Sequence, residues 1–549
     1  MQTIKGKKLQ LLNEHHPDDL SWLLLSLRSR EEDFLSKEVL HDPFLLPDIA
    51  PALERIFLAQ TRWERVMIFG DYDVDGISAT AALFLFLRDE LGIQVSYRLP
   101  HRVRDGYGLK EYHIDEIAKT GSTLLITVDC GTKDRICIQK ARDLGIDVIV
   151  TDHHSCPPDL PECIAIINPQ RLDSLYPFRG LSGSWVVWKV IHALLLERKK
   201  KNEKRKNEDD EKILQKYVDI VSLGTVADCM PMIDENRTIV RRWIAQSQRS
   251  HHAFFQTFVE TLKRPIITEE DIGFFVWPLL NAGGRLTTPY QSISTLLAGA
   301  RDSHLRIQEL IAVNETRKTK SKEAYERALA SIDTDSLFLV VIDPQLEHGI
   351  LGLVAARLTE QFHKPSAVFT LHEGNFVWSF RAPIGINLVA ILDIAAPYLG
   401  RYGGHAGAAG CTIVESNMPH AAQAFQVAMR ELYSVHDSTP LLRVDTVLDA
   451  TRISHDLVTQ IESLRPFGIG FESPTFMLQN ISFTVLPLGQ TGEHIRWDSA
   501  GGLEIIGFRM AEFAPLFVGV SCDLIGTLKT RTWRDTTTVQ FQVVDAVRC

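Results

Sequence analysis

Short apolar runs that end on acidic or imidazole side chains recur along the first third of the chain. Residues 66–69, 124–128 and 148–150 are such runs, and an apolar helical stretch over residues 79–87 follows the first of them. The residues just after the three runs include Asp71, Asp73, Asp75, Asp129, Asp152, His153 and His154. Short apolar runs bounded by glycine or charge are typical of buried strands. Strands that alternate with helices predict a parallel, doubly wound sheet.

The remaining pattern of the first half adds three candidate positions. Residues 93–99 predict a further strand, and residues 100–109 form a basic, glycine-containing loop that carries Arg102. Residues 217–227 are apolar at helical spacing, which would aim Asp228 inward. Residues 281–285 predict a glycine turn that holds Arg285.

The periodicity also predicts the domain organisation. A chain of 549 residues exceeds what one core normally holds. Residues 302–331 contain no glycine or proline and predict one long helix between domains. We therefore expect five parts, namely a helical N-terminal segment (1–60), an α/β catalytic domain (61–301), a connector helix (302–334), a second α/β domain (335–435) and a small β-barrel (436–549).

The second α/β domain carries two candidate phosphate-binding stretches. One contains Ser379 and Arg381, and the other is the glycine-rich run 401–410, in which Gly403 and Gly404 precede His405. Glycine lets a backbone approach a phosphate closely, and His405 would donate to it. Taken alone the glycine-rich run is a weak indication, because glycine–alanine runs also serve tight packing.

The C-terminal part alternates apolar and polar residues over short segments, which predicts strands of a small barrel. Arg531 and Trp533 lie in a basic-aromatic hairpin, and Arg496 with Trp497 forms a second such pair. Cations beside aromatic rings suit a single strand of nucleic acid, whose bases stack while its phosphates pair with charge. An ordinary barrel with exposed charge is the alternative.

Composition narrows the class of protein. Hydrophobic residues make up 45% and charged residues 23% of the chain, as in ordinary globular proteins. The net charge of −10 argues against a uniformly basic coat for nucleic acid but not against a local basic groove. The eight cysteines form no C-x-x-C pair, which favours free thiols in a reducing compartment. With no predicted signal peptide or membrane span, we expect a cytoplasmic protein. The mixed charge run 198–212 receives no function.

The acidic and imidazole residues predict a metal centre. The carboxyl ends of parallel strands meet at one edge of a sheet, so these side chains should converge there. The alternative for residues 71–75 alone is a solvated turn with one aspartate capping the next helix. Carboxylates mixed with imidazole suit Mn²⁺, with Mg²⁺ also suitable, and the lack of cysteine ligands argues against structural zinc. Two such ions sharing a carboxylate are an arrangement that hydrolyses phosphate esters.

At this point the ordered motifs resemble a known family. GDYDVDG (70–76), ITVDCG (126–131), TDHH (151–154), GTVAD (224–228) and GGHAGAAG (403–410) are similar to those of the RecJ exonucleases in the DHH phosphoesterase superfamily. NAGGRL (281–286), ENRTIVRR (235–242) and RPFGIGFESPTF (465–476) extend the resemblance over nearly the whole chain. It implies a DHH catalytic domain, a DHHA1 domain and an oligonucleotide-binding (OB) barrel.

The resemblance also implies roles for single residues. The implied ligands of two Mn²⁺ or Mg²⁺ ions are Asp73, Asp75, Asp129 (the bridging carboxylate), His153 and Asp228. Asp71 and His154 would lie beside them, and His405 would bind phosphate. Arg285, Ser379 and Arg381 would surround a 5′ phosphate. Two departures are Trp378-Ser-Phe-Arg-Ala382, where the family usually has Gly-Ser-x-Arg-Ser, and Phe471, where an asparagine usually stands.

The implied function is a 5′→3′ exonuclease specific for single-stranded DNA, which releases mononucleotides in DNA repair or recombination. Its partners would be single-stranded DNA and a helicase or single-strand-binding protein, and we expect a monomer. One alternative is a DHH phosphodiesterase acting on cyclic dinucleotides or short oligonucleotides, which would not need a barrel. Another is a DNA-binding scaffold without catalysis, against which the intact acids argue. A pyrophosphatase is disfavoured by the length of the chain and its C-terminal barrel.

Overall fold

A computed structural model describes most of the chain as two compact units. The described residues are 2–17, 19–201, 207–262, 267–372, 374–433, 439–481, 484–489, 492–498, 503–533 and 536–548. One unit combines Met1–Lys37 with His436–Cys549, and the other is Glu38–Val435. Part of the charge run 198–212 lies outside the described residues. Within the described residues, the search for a helix long and apolar enough to cross a membrane finds none.

The helices and strands are numbered in chain order. The helices are α1 (Leu20–Leu27), α2 (Ile49–Thr61), α3 (Val74–Leu85), α4 (Glu111–Lys119), α5 (Arg135–Asp143), α6 (Gly183–Lys201), α7 (Asn207–Ala227), α8 (Asp234–Gln246), α9 (Ala253–Leu262), α10 (Glu269–Asp271), α11 (Trp277–Leu286), α12 (Pro289–Leu296), α13 (Ala300–Ser331), α14 (Leu351–Phe362), α15 (Leu388–Ala395), α16 (Met418–Tyr433) and α17 (His455–Ser463). The strands are β1 (Lys8–Leu11), β2 (Arg65–Gly70), β3 (Gln94–Arg98), β4 (Leu124–Val128), β5 (Asp147–Thr151), β6 (Ala165–Ile167), β7 (Leu339–Ile342), β8 (Ser366–His372), β9 (Asn375–Arg381), β10 (Tyr402–His405), β11 (Ala408–Val414), β12 (Leu441–Val444), β13 (Thr446–Leu448), β14 (Phe476–Ile481), β15 (Thr484–Leu488), β16 (His494–Asp498), β17 (Glu504–Gly507), β18 (Cys522–Trp533) and β19 (Thr536–Arg548).

The first sheet is parallel throughout, in the order β3-β2-β4-β5-β6. Its central strands are buried on both faces, which explains why they appear in the sequence as continuous apolar runs. Helices α3 and α6 pack on one face, and α4 and α5 lie over the other. The predicted α/β class is confirmed, and all five carboxyl ends lie at one edge of the sheet.

The second sheet of the same unit has the order β10-β11-β9-β8-β7 and is mixed. The long helix α13 precedes it, close to the predicted connector, and α14 packs on one face while α15 and α16 cover the other. The glycine-rich run 401–410 lies mostly in the hairpin of β10 and β11. Residues 281–285 are helical within α11 rather than a turn, because Gly283 and Gly284 allow close packing that a Cβ would obstruct.

The other unit is built on a seven-stranded sheet in the order β13-β14-β18-β19-β17-β16-β15. Its edge strands β13 and β15 do not pair with each other within the described residues. The expectation of a helical N-terminal segment (1–60) holds for α1 and α2 but is wrong at Lys8–Leu11, because β1 forms a separate parallel pair with β12. Phe471, one of the departures, packs against Phe467 in the core of this unit, with ring centroids 5.8 Å apart.

Candidate metal centre and anion pocket

Acidic and imidazole side chains converge at the carboxyl edge of the parallel sheet. Asp71 follows β2, Asp129 follows β4, and His153 with His154 follow β5. Asp228 arrives from the end of α7, where its amide donates to Gly224. Three overlapping groups have ligand atoms within 4.8 Å of one another, and these are Asp71/Asp73/Asp129, Asp75/His153/Asp228 and Asp129/His153/His154. The predicted ligands therefore form one cluster.

His153 lies at the centre of this cluster. Its Nε2 atom is 3.1 Å from Oδ1 of Asp129, 3.5 Å from Oδ2 of Asp228 and 3.9 Å from Oδ2 of Asp75. The buried Oδ1 of Asp129 nevertheless has no hydrogen-bond partner among the described residues. Side-chain atoms that converge without hydrogen bonds between them suit a shared cation better than a polar network.

Glycines make room for the carboxylates. Asp75 accepts hydrogen bonds from the backbone amides of Gly183 (2.6 Å) and Ser184 (3.0 Å) at the start of α6. A Cβ on Gly183 would lie 2.6 Å from Asp129 Oδ1, and one on Gly224 would lie 2.2 Å from Asp75 Oδ1. These glycines are required where they stand, because the acids occupy the space that a side chain would need.

Asp152 and Tyr107 orient His154 rather than joining the cluster. Asp152 accepts hydrogen bonds from Nδ1 of His154 (2.8 Å) and from the amides of His153, His154 and Thr132. These contacts outweigh burial and keep the pKa of Asp152 below its usual value. The Tyr107 hydroxyl lies 3.1 Å from Nδ1 of His154 and donates to the backbone carbonyl of Asp129. Both residues hold the imidazole ring in place.

Burial and mutual repulsion make the acids reluctant to ionise. Burial, with the charge of Asp73, raises the pKa of Asp71 to about 8. Burial, with the charge of Asp75, raises the pKa of Asp228 to about 8 and that of Asp129 well above its usual value. Burial lowers the pKa of His153. Like charges this close need a cation if all are to ionise.

The backbone at Asp129 is strained. Its φ of +61° lies in the left-handed region, which costs a non-glycine residue about 1–3 kcal/mol. This conformation turns the side chain toward the other acids immediately after β4. Strain of this kind persists where the surrounding structure holds it, and it often marks a functional position.

His405 of the second α/β half faces this cluster. Its ring stacks near that of His154, with centroids 6.3 Å apart and planes at 16°. Burial, together with the charges of His154 and Lys133, lowers the pKa of His405. The hairpin residues Gly403 and Gly404 lie in β10, and Gly404 requires glycine because its φ is +144° and a Cβ would lie 2.4 Å from the Ala408 carbonyl oxygen.

A second cluster, rich in arginine, gathers between α11, α14 and β9. Arg285 donates to the Gly349 carbonyl at 3.1 Å. Arg381 donates to the Phe380 carbonyl at 2.7 Å and to Ser379 Oγ at 3.3 Å. A Cβ on Gly352, in the first turn of α14, would lie 2.7 Å from Arg381 Nη2 and 3.1 Å from Ser379 Oγ. The amino end of a helix and two arginines therefore meet here, as in anion sites.

Two further arginines contribute charge to this cluster, which we call the anion pocket. Arg102 lies over the ring of Tyr72, 4.2 Å from its centroid. Burial, together with the charges of Arg102, Arg317 and Arg381, lowers the pKa of Arg285 to about 9. Among the described residues, no acidic side chain lies within ion-pair distance of these guanidinium groups, and only the more distant charges of Asp71 and Glu315 act on Arg102 and Arg317.

The strand alternation explains the departure at residues 378–382. Trp378 and Phe380 point into the core beneath α15 and α16, where they pack around Phe425. Ser379 and Arg381 point to the opposite face, toward α14. The added bulk therefore lies away from the anion pocket.

The other unit carries the residues predicted to bind single-stranded nucleic acid, and the structure describes the side chains of some of them. Arg496 is exposed on β16, but Trp497 beside it is 2% exposed and packs against Phe517, so it cannot stack on a base. Arg531 is half exposed and pairs with Glu504 at 3.2 Å. Trp533 ends β18, but its side chain lies outside the described residues.

Several residues of these sites escaped the sequence analysis. Tyr107 lay in a loop noted only for its basic charge, and Gly183 and Gly224 gave no signal beyond being glycines next to helices. Arg317 appeared as one of many charges on a long helix. Only the fold brings them to the site.

Comparison with known proteins supports the same three domains. The model of the DHH family, N-terminal domain, matches residues 65–225, that of the DHHA1 domain matches 334–431, and that of the RecJ OB domain matches 444–545. The single-stranded-DNA-specific exonuclease RecJ of Dickeya dadantii is 30% identical over 482 residues, which cover 84% of each chain. RecJ of Bacillus subtilis is 28% identical over 538 residues, and the match covers 95% of this chain but 65% of that protein.

Two solved structures show the same fold. RecJ of Thermus thermophilus in complex with Mn²⁺ is 23% identical, with a TM-score of 0.83 over 99% of this chain and 80% of that one. An exonuclease RecJ bound to manganese is 27% identical, with a TM-score of 0.61 over 72% of this chain and 98% of that one.

Proposed function

The chain belongs to the RecJ family of exonucleases, and we propose that it degrades single-stranded DNA from the 5′ end, releasing mononucleotides. The observation that carries this proposal is the convergence of the five aspartates and two histidines at the carboxyl edge of the sheet. The relatives named above are single-stranded-DNA-specific exonucleases, and this chain retains both the acids and an OB domain.

The acid cluster fits two Mn²⁺ or Mg²⁺ ions. The donors are carboxylate and imidazole, the buried Asp129 Oδ1 has no hydrogen-bond partner among the described residues, and the raised pKa values indicate missing positive charge. We assign Asp73, Asp75, Asp129, His153 and Asp228 as ligands, with Asp71 beside them. When bound, such ions supply the Lewis-acid chemistry that hydrolyses a phosphodiester.

The chain's own residues would position the scissile phosphate. Asp152 and Tyr107 fix the His154 ring, and His405 approaches from the DHHA1 half, so the two imidazoles can donate to the non-bridging oxygens. Donors fixed in advance stabilise the charge that develops during reaction. The acids would hold the ions.

The anion pocket accounts for the choice of end. A terminal phosphate carries more charge than an internal one, and Arg285, Arg381 and Ser379 offer it donors beside the first turn of α14. With that phosphate held, hydrolysis of the next phosphodiester along the strand releases one nucleotide. Arg102 adds a further guanidinium to the pocket.

The OB domain would hold the strand beyond the site. Arg496 offers exposed charge for phosphates, Arg531 is half exposed beside its partner Glu504, and Trp533 remains a candidate for base stacking. We also propose that the protein acts in DNA repair or recombination as a cytoplasmic monomer, with a helicase or single-strand-binding protein as partner. The free thiols of the described cysteines favour a reducing compartment.

The test is degradation of single-stranded DNA labelled at either end, with Mn²⁺, Mg²⁺ or chelator present. We expect loss of a 5′ label as mononucleotide, dependence on metal, and little attack on blunt duplex. Arg381→Ala should raise KM for 5′-phosphorylated strands far more than for 5′-hydroxyl strands. Release of the 3′ label first would contradict the assigned polarity. An equal rise of KM for the 5′-phosphorylated and 5′-hydroxyl strands in Arg381→Ala would contradict it too.

A further inference from the structure

The anion pocket holds more positive charge than one terminal phosphate needs. Arg285, Arg381 and Arg102 already surround it together with Ser379 and the first turn of α14. Arg317 is a fourth guanidinium, close enough for its charge to act on Arg285, and the described part of the chain shows no ion pair for any of the four. A terminal phosphate carries a charge of about −2 at neutral pH, so the pocket retains excess positive charge even when this group is bound.

Arg317 reaches the pocket from the connector helix. Helix α13 packs against both α11, which carries Arg285, and α14, whose first turn faces Arg381. One turn after Arg317, Lys320 forms an ion pair with Glu347, just before the turn that leads into α14. The Nε of Arg317 donates to Asn314 Oδ1 at 2.9 Å, which fixes its direction and leaves its terminal nitrogens available.

The next phosphate along a bound strand cannot supply the missing negative charge. In the proposed function, which this inference rests on, that phosphate is the scissile one and lies at the acid cluster. Any additional phosphate in the pocket must therefore be attached to the 5′ end itself. Each phosphate added there brings further negative charge and more acceptor oxygens for guanidinium groups.

We propose that the pocket accepts strands with a 5′-diphosphate or 5′-triphosphate end, and that Arg317 binds the phosphate added beyond the first. The substrate class of the enzyme then includes nucleic acids whose ends have not been trimmed to a monophosphate. Arg317 acts as a specificity-determining residue, since monophosphate ends are held by the other three arginines.

The affinity for 5′-triphosphate strands is measured in the presence of chelator. The chelator prevents cleavage of the strand and keeps metal ions off the triphosphate. Three matched single-stranded DNA oligonucleotides, differing only in a 5′-hydroxyl, 5′-monophosphate or 5′-triphosphate, are titrated with the full chain by fluorescence anisotropy from a 3′ dye. We expect the triphosphate strand to bind about tenfold more tightly than the monophosphate strand. Equal affinity of the wild type for these two strands would overturn the proposal.

Substitutions on α13 test whether Arg317 causes the preference for the triphosphate strand. Arg317→Gln should weaken binding of the triphosphate strand much more than binding of the monophosphate strand and so remove most of the preference, and Arg317→Lys should restore part of it. Arg327→Gln is the matched control, because Arg327 lies on the same helix but pairs with Asp343 at 2.8 Å. Equal weakening of all three strands by Arg317→Gln would assign Arg317 to an internal phosphate and overturn the proposal. Failure to cleave 5′-monophosphate DNA with Mn²⁺ would instead contradict the exonuclease function.

Discussion

Two clusters in the Glu38–Val435 unit contain residues able to bind metal, and they differ in how their charges are balanced. One is the acid cluster around Asp129. The other consists of His41, Asp234 and Glu235, whose ligand atoms also lie within 4.8 Å of one another. Glu235 and Lys189 are fully buried there and form an ion pair. Among the described side chains, Asp129 has no lysine or arginine partner, only the imidazoles of His153 and His154 at 3.1 and 4.0 Å, and its Oδ1 has no hydrogen bond.

The partners of Glu235 fill its binding capacity. Besides Lys189, it accepts hydrogen bonds from the Tyr176 hydroxyl and from the His41 amide at 2.7 Å. Lys189 in turn donates to the His41 carbonyl at 2.7 Å. A metal here would have to displace an internal cation, whereas at Asp129 it would supply one that is missing. Proximity of ligand atoms alone therefore does not define a metal site, and the internal partners decide.

The largest effect that separates the clusters is on catalysis. Asp129→Asn keeps the shape of the side chain but removes the charge assigned to bridge both ions. We expect single-stranded DNA hydrolysis to fall by about a thousandfold or more, since about 4 kcal/mol of barrier corresponds to that factor. Binding of DNA should largely survive, because the arginines and the OB domain remain.

The measurement is the initial rate on 5′-phosphorylated DNA, with anisotropy for binding. Asp75→Asn and His153→Ala should resemble Asp129→Asn, and the double variants should lose little more, because the ligands act as one unit. A variant that keeps a tenth of the activity, which corresponds to only about 1.4 kcal/mol, would rule out the bridging role.

Stability should respond most at the other cluster. Glu235→Gln leaves the Lys189 ammonium buried without its counter-charge, and removing one partner of a buried pair costs about 3–5 kcal/mol. Chemical denaturation should show this loss in the free energy of unfolding. Asp234→Asn is the matched control, because that side chain is only partly buried and should cost less than about 1 kcal/mol. Equal losses in the free energy of unfolding of the two variants would mean that the buried Lys189–Glu235 pair stabilises the fold no more than a partly exposed pair.

The acid cluster was predictable from the sequence, and the charge-balanced cluster was not. Asp71, Asp129 and His153 each follow an apolar strand, and parallel strands must bring their carboxyl ends to one edge. Lys189 and Glu235 lie on different helices, with no local pattern that relates them. Their pairing depends on how α6 and α8 pack, which periodicity does not determine.

Contacts between residues distant in the sequence also explain the other differences between the predictions and the structure. Backbone context overrode local composition at Gly283 and Gly404, where glycines that suggested loops lie in a helix and a strand because close neighbours exclude a Cβ. Strand β1 was missed because its partner, β12, lies near the other end of the chain. Arg317 could not be distinguished from its neighbours, since helical spacing does not show which charges lack partners.

Metal should stabilise one cluster and leave the other unchanged. Mn²⁺ at about 100 times its Kd should raise the free energy of unfolding by about 2.7 kcal/mol, because it binds only the folded acid cluster. The gain, measured as a shift in thermal midpoint between chelator and Mn²⁺, should persist in Asp234→Asn and shrink in Asp129→Asn. If Asp234→Asn abolished the stabilisation by Mn²⁺, the metal would bind at the His41 cluster instead.

The smallest effect is also the most discriminating, because it reverses the usual sign of a buried substitution. In chelator, the raised pKa of Asp129 shows that its ionised form is disfavoured in the folded state by burial and by Asp75. Asparagine has the same shape, is neutral and relieves this repulsion, so Asp129→Asn should be as stable as the wild type or more stable by up to about 1 kcal/mol. In Glu235→Gln the same kind of change should be destabilising, since the lost charge there had a partner. Denaturation of both variants in chelator compares the two signs directly. If Asp129→Asn were destabilised as strongly as Glu235→Gln, the Asp129 carboxylate would have to be satisfied inside the folded protein, and the case for a missing cation would fail.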